Sequence, residues 1–195
     1  MPVTAALTPV GASPTVPTAG PLLLAAVLLA VAGAAKLRVP DGTVRALHAA
    51  GIPAARGHGR LLGLVEVVLG ASVLLVGGRA LAALLAAAYL GFATFTARLL
   101  SVDRSGAGCG CFGADDAPVG ATHVAVNAAL ATGCLAAVVC PVAGVADVVR
   151  QQPLAGLPFL ALVAVGAWAA HLALTALPAL RAVVDEVHRA SAEVA

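Results

Sequence analysis

Cys109 and Cys111 are separated by a single glycine and lie in a run that also holds Gly106, Gly108 and Gly113. A disulfide prefers Cα atoms about 5.5 to 6 Å apart, which an i, i+2 pair reaches only in a tight turn. Glycine lets the backbone fold that sharply, and a bridge across such a turn is strained and readily reduced. Strain of this kind favours a reactive dithiol over a structural bridge; the plainer reading is two small residues in a loop. Further on, His123, Asn127 and Cys134 fall at i, i+4 and i+11, within about 40° of one another on a helix. A histidine near the two thiols could stabilise a thiolate or carry its proton, and a helix N-terminus adds partial positive charge at the same place. The alternative is a stripe that only hydrogen-bonds between helices. Glu66 sits inside an apolar run, where an ionisable group is costly and therefore a functional candidate. Lys36, the single lysine, or Arg98 could neutralise it, and a structural ion pair accounts for such a pairing as well as proton transfer does. His171 falls in the same half of its own apolar run, as a packing residue or a ligand.

The elements that must position these groups are membrane-spanning. Of the 195 residues 61% are hydrophobic and only 10% charged, and mean hydropathy is +1.02, where a soluble domain carries roughly 25% charged residues. Aromatics make up 3%, so the apolar mass is Ala, Leu and Val, which suits closely approaching helices. No basic run or aromatic platform exists for nucleic acid. Four cysteines are too few for a secreted disulfide scaffold, and their spacing matches no zinc-finger pattern.

Apolar runs predict spans near residues 21–35, 61–76, 80–100, 118–139 and 154–177, an all-α integral membrane bundle of about five helices. Several of these runs are near 16 to 17 residues, shorter than the usual ~20. Residues 1–20, uncharged and rich in Pro, Thr and Ala, form an unstructured tail in this reading, and residues 179–195 a C-terminal one. The 21–35 run could be a signal h-region, but no basic residues precede it. A short interfacial helix is expected near residues 41–50. Gly63 and Gly70, one heptad apart, allow backbones to approach. Cys134 and Cys140 lie too far along their span to pair with the Cys109–Cys111 turn and read as small apolar fillers.

Five spans put the 36–60 loop, the 101–117 loop and the C-terminus on one side. That side carries Lys36, Arg38, Arg45, Arg56, Arg60, Arg98, Arg104, Arg181 and Arg189, against Arg79 and Arg150 on the other. The positive-inside rule then makes the thiol loop cytoplasmic, in a plasma-membrane protein.

The segments Ala-Gly-Ala-Ala-Lys-Leu (32–37), Leu-Val-Glu-Val-Val-Leu-Gly (64–70), Cys-Gly-Cys-Phe-Gly (109–113) and Pro-Val-Gly-Ala-Thr-His-Val-Ala-Val-Asn (118–127) together resemble the methylamine utilisation MauE family, over roughly residues 20–140. That family is similar to the wider DoxX-like group of small membrane proteins, which implies a four-helix core plus one further span. The resemblance implies a redox-associated protein that works with a thioredoxin-like partner in maturing disulfide-bearing proteins, the namesake's client being an amine dehydrogenase subunit. It carries over to Lys36, Glu66, Cys109, Cys111, His123 and Asn127. Maturation of an exported enzyme calls for thiols on the outer face, opposite to the charge bias.

The resulting expectation is a bundle whose Cys109 and Cys111 cycle between dithiol and disulfide, tuned by His123, with Glu66 and Lys36 handling a proton or shaping a pocket. A quinone is a candidate electron acceptor, although no quinone motif is legible. Two rival readings stand: copper or zinc handling by the two thiolates and His123, and a non-catalytic subunit or small-solute carrier with Glu66 and His171 along the path.

Overall fold

The computed structural model describes residues 16–102, 108, 110–111, 119–140, 142, 144–151 and 153–194. Cys109, Arg104, Pro118 and the tail ahead of Val16 lie outside the described residues.

Among the described residues seven helices follow in chain order: α1 Val16–Arg38, α2 Asp41–Ala49, α3 Arg56–Leu75, α4 Arg79–Val102, α5 Ala121–Val139, α6 Val145–Gln151 and α7 Pro153–Val194. Among the described residues, five of them (α1, α3, α4, α5 and α7) are long and apolar enough to cross a membrane, which makes the chain an all-α multi-pass membrane bundle. These five spans run to between 19 and 24 residues, and the first three are longer than their bare apolar runs because their polar ends stay helical. At the start of α3 the Ala55 N–H, which has no partner within the helix, donates to His58 Nδ1 at 3.0 Å. Arg56 in the same turn holds Asp41 of α2 in a bidentate pair at 2.7 and 3.1 Å. Long basic side chains reach outward from the ends of a span without breaking it.

The burial pattern is that of a membrane protein. Leu22, Ala25, Ala26 and Leu29 of α1 form the core with Val73 of α3, Leu85, Ala86 and Tyr89 of α4, and Leu130, Ala131 and Cys134 of α5. Large apolar side chains also cover the outside, among them Leu61, Leu64, Val65 and Val68 on α3 and Leu162, Val165 and Trp168 on α7. Lipid is as apolar as the core, so association of the helices rests on close packing and not on hydrophobic burial.

The α1–α3 crossing shows what close packing demands. A Cβ on Gly33 would stand 2.5 Å from the Gly63 carbonyl oxygen, and one on Gly63 2.7 Å from the Gly33 carbonyl oxygen. A Cβ on Gly70, further along the seam, would stand 2.7 Å from the Ala26 carbonyl oxygen. The two backbones touch directly at this seam, as only glycine permits. Lys36 lies one turn past Gly33 and Glu66 one turn past Gly63, so the crossing brings the two ionisable residues together.

At the far end of the bundle, α3 turns into α4 through Gly77 (φ 68°) and Gly78 (φ 95°), left-handed conformations that favour glycine. The Gly78 N–H donates to the Val142 carbonyl at 2.9 Å. From there α7 crosses back beside α1, its Gly166 facing Leu24. It continues through residues 178–194, past the last apolar window at Leu177, for roughly 25 Å at the helical rise.

Candidate functional site

The near end of the bundle gathers the residues that the sequence singles out. Lys36, 4% exposed, donates to Glu66 Oε2 at 2.8 Å, and Glu66 is itself 2% exposed. The same ammonium donates to the Cys111 carbonyl oxygen at 3.0 Å. It also stands 5.8 Å from the centre of the Phe92 ring, within reach of a cation–π attraction. An ammonium has three N–H donors, and these two hydrogen bonds use two of them. Glu66 Oε1 is buried and has no hydrogen-bond partner among the described residues. Arg98, the other candidate neutraliser, turns instead toward the Ala50 carbonyl at 3.4 Å.

The turn between the two cysteine positions is anchored a second time. Thr43, on the buried face of α2, donates its hydroxyl to the Gly110 carbonyl at 2.8 Å. Gly110 adopts φ +68°, and a Cβ there would fall 2.6 Å from Thr43 Cα. Both the backbone sign and the close approach call for glycine. The Gly110–Cys111 segment is therefore fixed by two consecutive main-chain carbonyls, one held by α2 and one by the end of α1. Cys111 is half-buried; Cys109 lies outside the described residues, so the geometry of the pair is not described.

The α5 stripe faces inward: His123 is 1% exposed, Asn127 6% and Cys134 0%. His123 bonds both within its own turn and across to α7, while the described bond of Asn127 stays within α5. The Gly120 N–H donates to His123 Nδ1 at 3.2 Å, which satisfies an orphan donor at the start of α5 and assigns the ring proton to Nε2. The ring also engages the main chain of Leu174 on α7. Asn127 Nδ2 donates to the His123 carbonyl at 2.8 Å within the helix. His171 is half-buried on α7, and its carbonyl accepts from Thr175 Oγ1 at 2.9 Å. Cys134 lies in the core and Cys140 closes α5 at the opposite end, exposed.

Beneath the anchored turn is a cavity of about 240 Å³, almost wholly apolar, lined from α1 by Leu28, Leu29, Ala32 and Lys36, from α4 by Tyr89, Phe92, Phe95 and Thr96, and from α5 by Asn127 and Leu130. Thr43 and Ala46 of α2, Leu62 of α3, Leu174 of α7 and Gly110 and Cys111 also line it. The Tyr89 hydroxyl is satisfied by the Ala25 carbonyl of α1 at 2.7 Å, which ties α4 to α1 beside this space. No group of three or more His, Cys, Asp or Glu side chains placed to share a metal ion occurs among the described residues.

Sequence reasoning missed Thr43, Tyr89 and Phe92. For Thr43 a signal existed: it shares the inner face of a short amphipathic helix with Ala46 and Ala50, where a lone hydroxyl needs a partner. Tyr89 offered none, because its partner is a backbone carbonyl of another helix.

Comparison with known proteins adds one finding. Residues 13–140 match the family model described as methylamine utilisation protein MauE. No curated protein and no solved structure matches the chain.

Proposed function

The chain belongs to the family of methylamine utilisation protein MauE, and from that premise we propose that it is a multi-pass membrane redox protein whose Cys109 and Cys111 exchange electrons with a thioredoxin-like partner while a disulfide-bearing protein, of the amine-dehydrogenase type, matures. The observation that carries this reading is the double anchorage of the turn between the cysteines, Gly110 by Thr43 and Cys111 by Lys36. A loop without chemistry has no need of a buried ammonium and an α2 hydroxyl on successive carbonyls at the mouth of a bundle. A turn that must present a sulfur repeatedly in one geometry does.

In this reading a thiolate of the partner attacks one sulfur of the Cys109–Cys111 disulfide, forming a mixed disulfide and releasing the other sulfur as a thiolate. The partner's second thiol then resolves it. The partner leaves as a disulfide, and Cys109 and Cys111 are left as a dithiol. Lys36 holds the turn and Glu66 holds Lys36, with the second carboxylate oxygen available to a proton. His123 and Asn127, whose described bonds are to Gly120, Leu174 and their own helix, act as positioning residues for the start of α5. On the charge bias this reading has the thiol turn facing the cytoplasm.

The test is a trapping experiment in a Cys134→Ser, Cys140→Ser background. One of the single variants, Cys109→Ser or Cys111→Ser, should accumulate a reductant-sensitive adduct with a co-expressed thioredoxin-like protein, and the double variant should form none. Absence of an adduct from both single variants, with client maturation intact in the double variant, would sink the reading.

A further inference from the structure

We propose that the cavity under the cysteine turn is a lateral-access site for the ring of a membrane-dissolved quinone, with the Lys36 ammonium donating to a ring carbonyl oxygen. This rests on the thiol-exchange reading above and names the oxidant that reading requires.

The space lies along the spanning length of the bundle: its α1 wall, from Leu28 to Lys36, covers about 12 Å of helical rise within the Ala19–Arg38 span. An apolar cavity of about 150 Å³ takes benzene, so one of about 240 Å³ has room for a substituted ring. Phe92, Phe95 and Tyr89 supply aromatic walls on which a flat ring stacks.

The way in is from the side. While α1 packs backbone to backbone on α3, and α4 packs closely on α5, α3 and α4 touch only lightly. Gly91 stands on the α4 rim, exposed and lining the cavity, with open space where a Cβ would be. Leu62 forms the facing α3 rim. An opening between two lipid-exposed helices admits a molecule dissolved in the bilayer and lets its hydrocarbon tail remain there.

The lining narrows the chemistry. A polar solute would bury its groups against largely apolar walls, and a plain hydrocarbon would leave the third Lys36 N–H without a partner among the described residues. A flat apolar ring bearing an acceptor oxygen satisfies both. The redox balance closes with the same molecule. Two S–H bonds of Cys109 and Cys111 break and one S–S bond forms; the two electrons and two protons released pass to the two carbonyl oxygens, giving the quinol.

Binding is measured on the Cys109→Ser, Cys111→Ser variant in lipid nanodiscs, so that no turnover intervenes, with a photoreactive azido-quinone competed by a short-chain ubiquinone. We expect saturable labelling of residues 88–96, suppressed by the competitor and reduced about tenfold or more by Gly91→Phe, which blocks the opening, and by Lys36→Met, which removes one charged hydrogen bond. Gly91→Phe should unfold at the same temperature as its parent, since nothing stands within 4 Å of that Cβ position. Labelling spread without saturation over the lipid faces of α3 and α7, or undiminished in both variants, overturns the site. Saturable, competed labelling together with no mixed disulfide in the trapping experiment leaves the quinone site standing and removes the thiol-exchange reading.

Discussion

The pair formed by Lys36 and Glu66 has its strength in being complete. Two buried charges 2.8 Å apart offset much of the cost of leaving water, whereas either one alone is left uncompensated. Lys36→Met or Glu66→Gln alone should therefore lower stability by about 3–5 kcal/mol, read as the midpoint of denaturation in detergent. The double variant should cost clearly less than the two losses added together, because it leaves no orphan charge; strict additivity would mean that the pair does not act as a unit. A second residue-scale prediction concerns Gly110. Ala at this position meets both a disfavoured φ and the Thr43 backbone, a penalty of about 1–3 kcal/mol that the turn can relieve by detaching. Gly110→Ala should speed alkylation of Cys111 by a soluble maleimide several-fold, with global unfolding little changed. An unaltered rate would show that the Thr43 bond does not hold the turn. Glu66 was legible as a charge inside an apolar run and Lys36 as the single lysine at the end of one, and both fall at the same leaflet. That Lys36 also grips Cys111 was not legible, since a main-chain carbonyl leaves no mark on the residue pattern.

Among the helices, α1 and α3 owe their contact to glycines that place carbonyl oxygens where side chains would stand. Gly63→Leu should separate the two helices and cost more than the roughly 1–3 kcal/mol of ordinary overpacking, because the obstacle is backbone and cannot rotate away. The measurement is the denaturation midpoint, beside Gly91→Leu, which projects into open space and should be near neutral. Equal losses in both variants would deny the seam its role. The number and order of spans were legible from hydropathy, and so were Gly63 and Gly70 as packing sites. The partner of Gly63 was not, because Gly33 becomes meaningful only once α1 is known to lie on α3. The helical ends were also hidden. Gly57, Gly59 and Arg60 read as a loop until His58 is seen capping the Ala55 N–H.

For the whole molecule, the bonds from Lys36 and Thr43 to the cysteine turn place the α1–α2 connection and the α4–α5 loop at one end, and the Gly78 to Val142 bond defines the other. Single cysteines introduced at Ile52 and Leu75, both exposed and at opposite ends, should label with a membrane-impermeant maleimide from opposite sides in a background lacking all four native cysteines. Labelling of Ile52→Cys only after lysis supports the charge-derived orientation, and its labelling in intact cells reverses it. Labelling of both from one side would contradict the arrangement itself. The anchorage of the turn has one more consequence, for the cost of changing oxidation state. Lys36 and Thr43 hold peptide oxygens, so in the thiol-exchange reading these two bonds stay the same whether Cys111 carries a proton, a bridge or another protein. In that reading, two attachments made through peptide oxygens need not be remade between half-reactions.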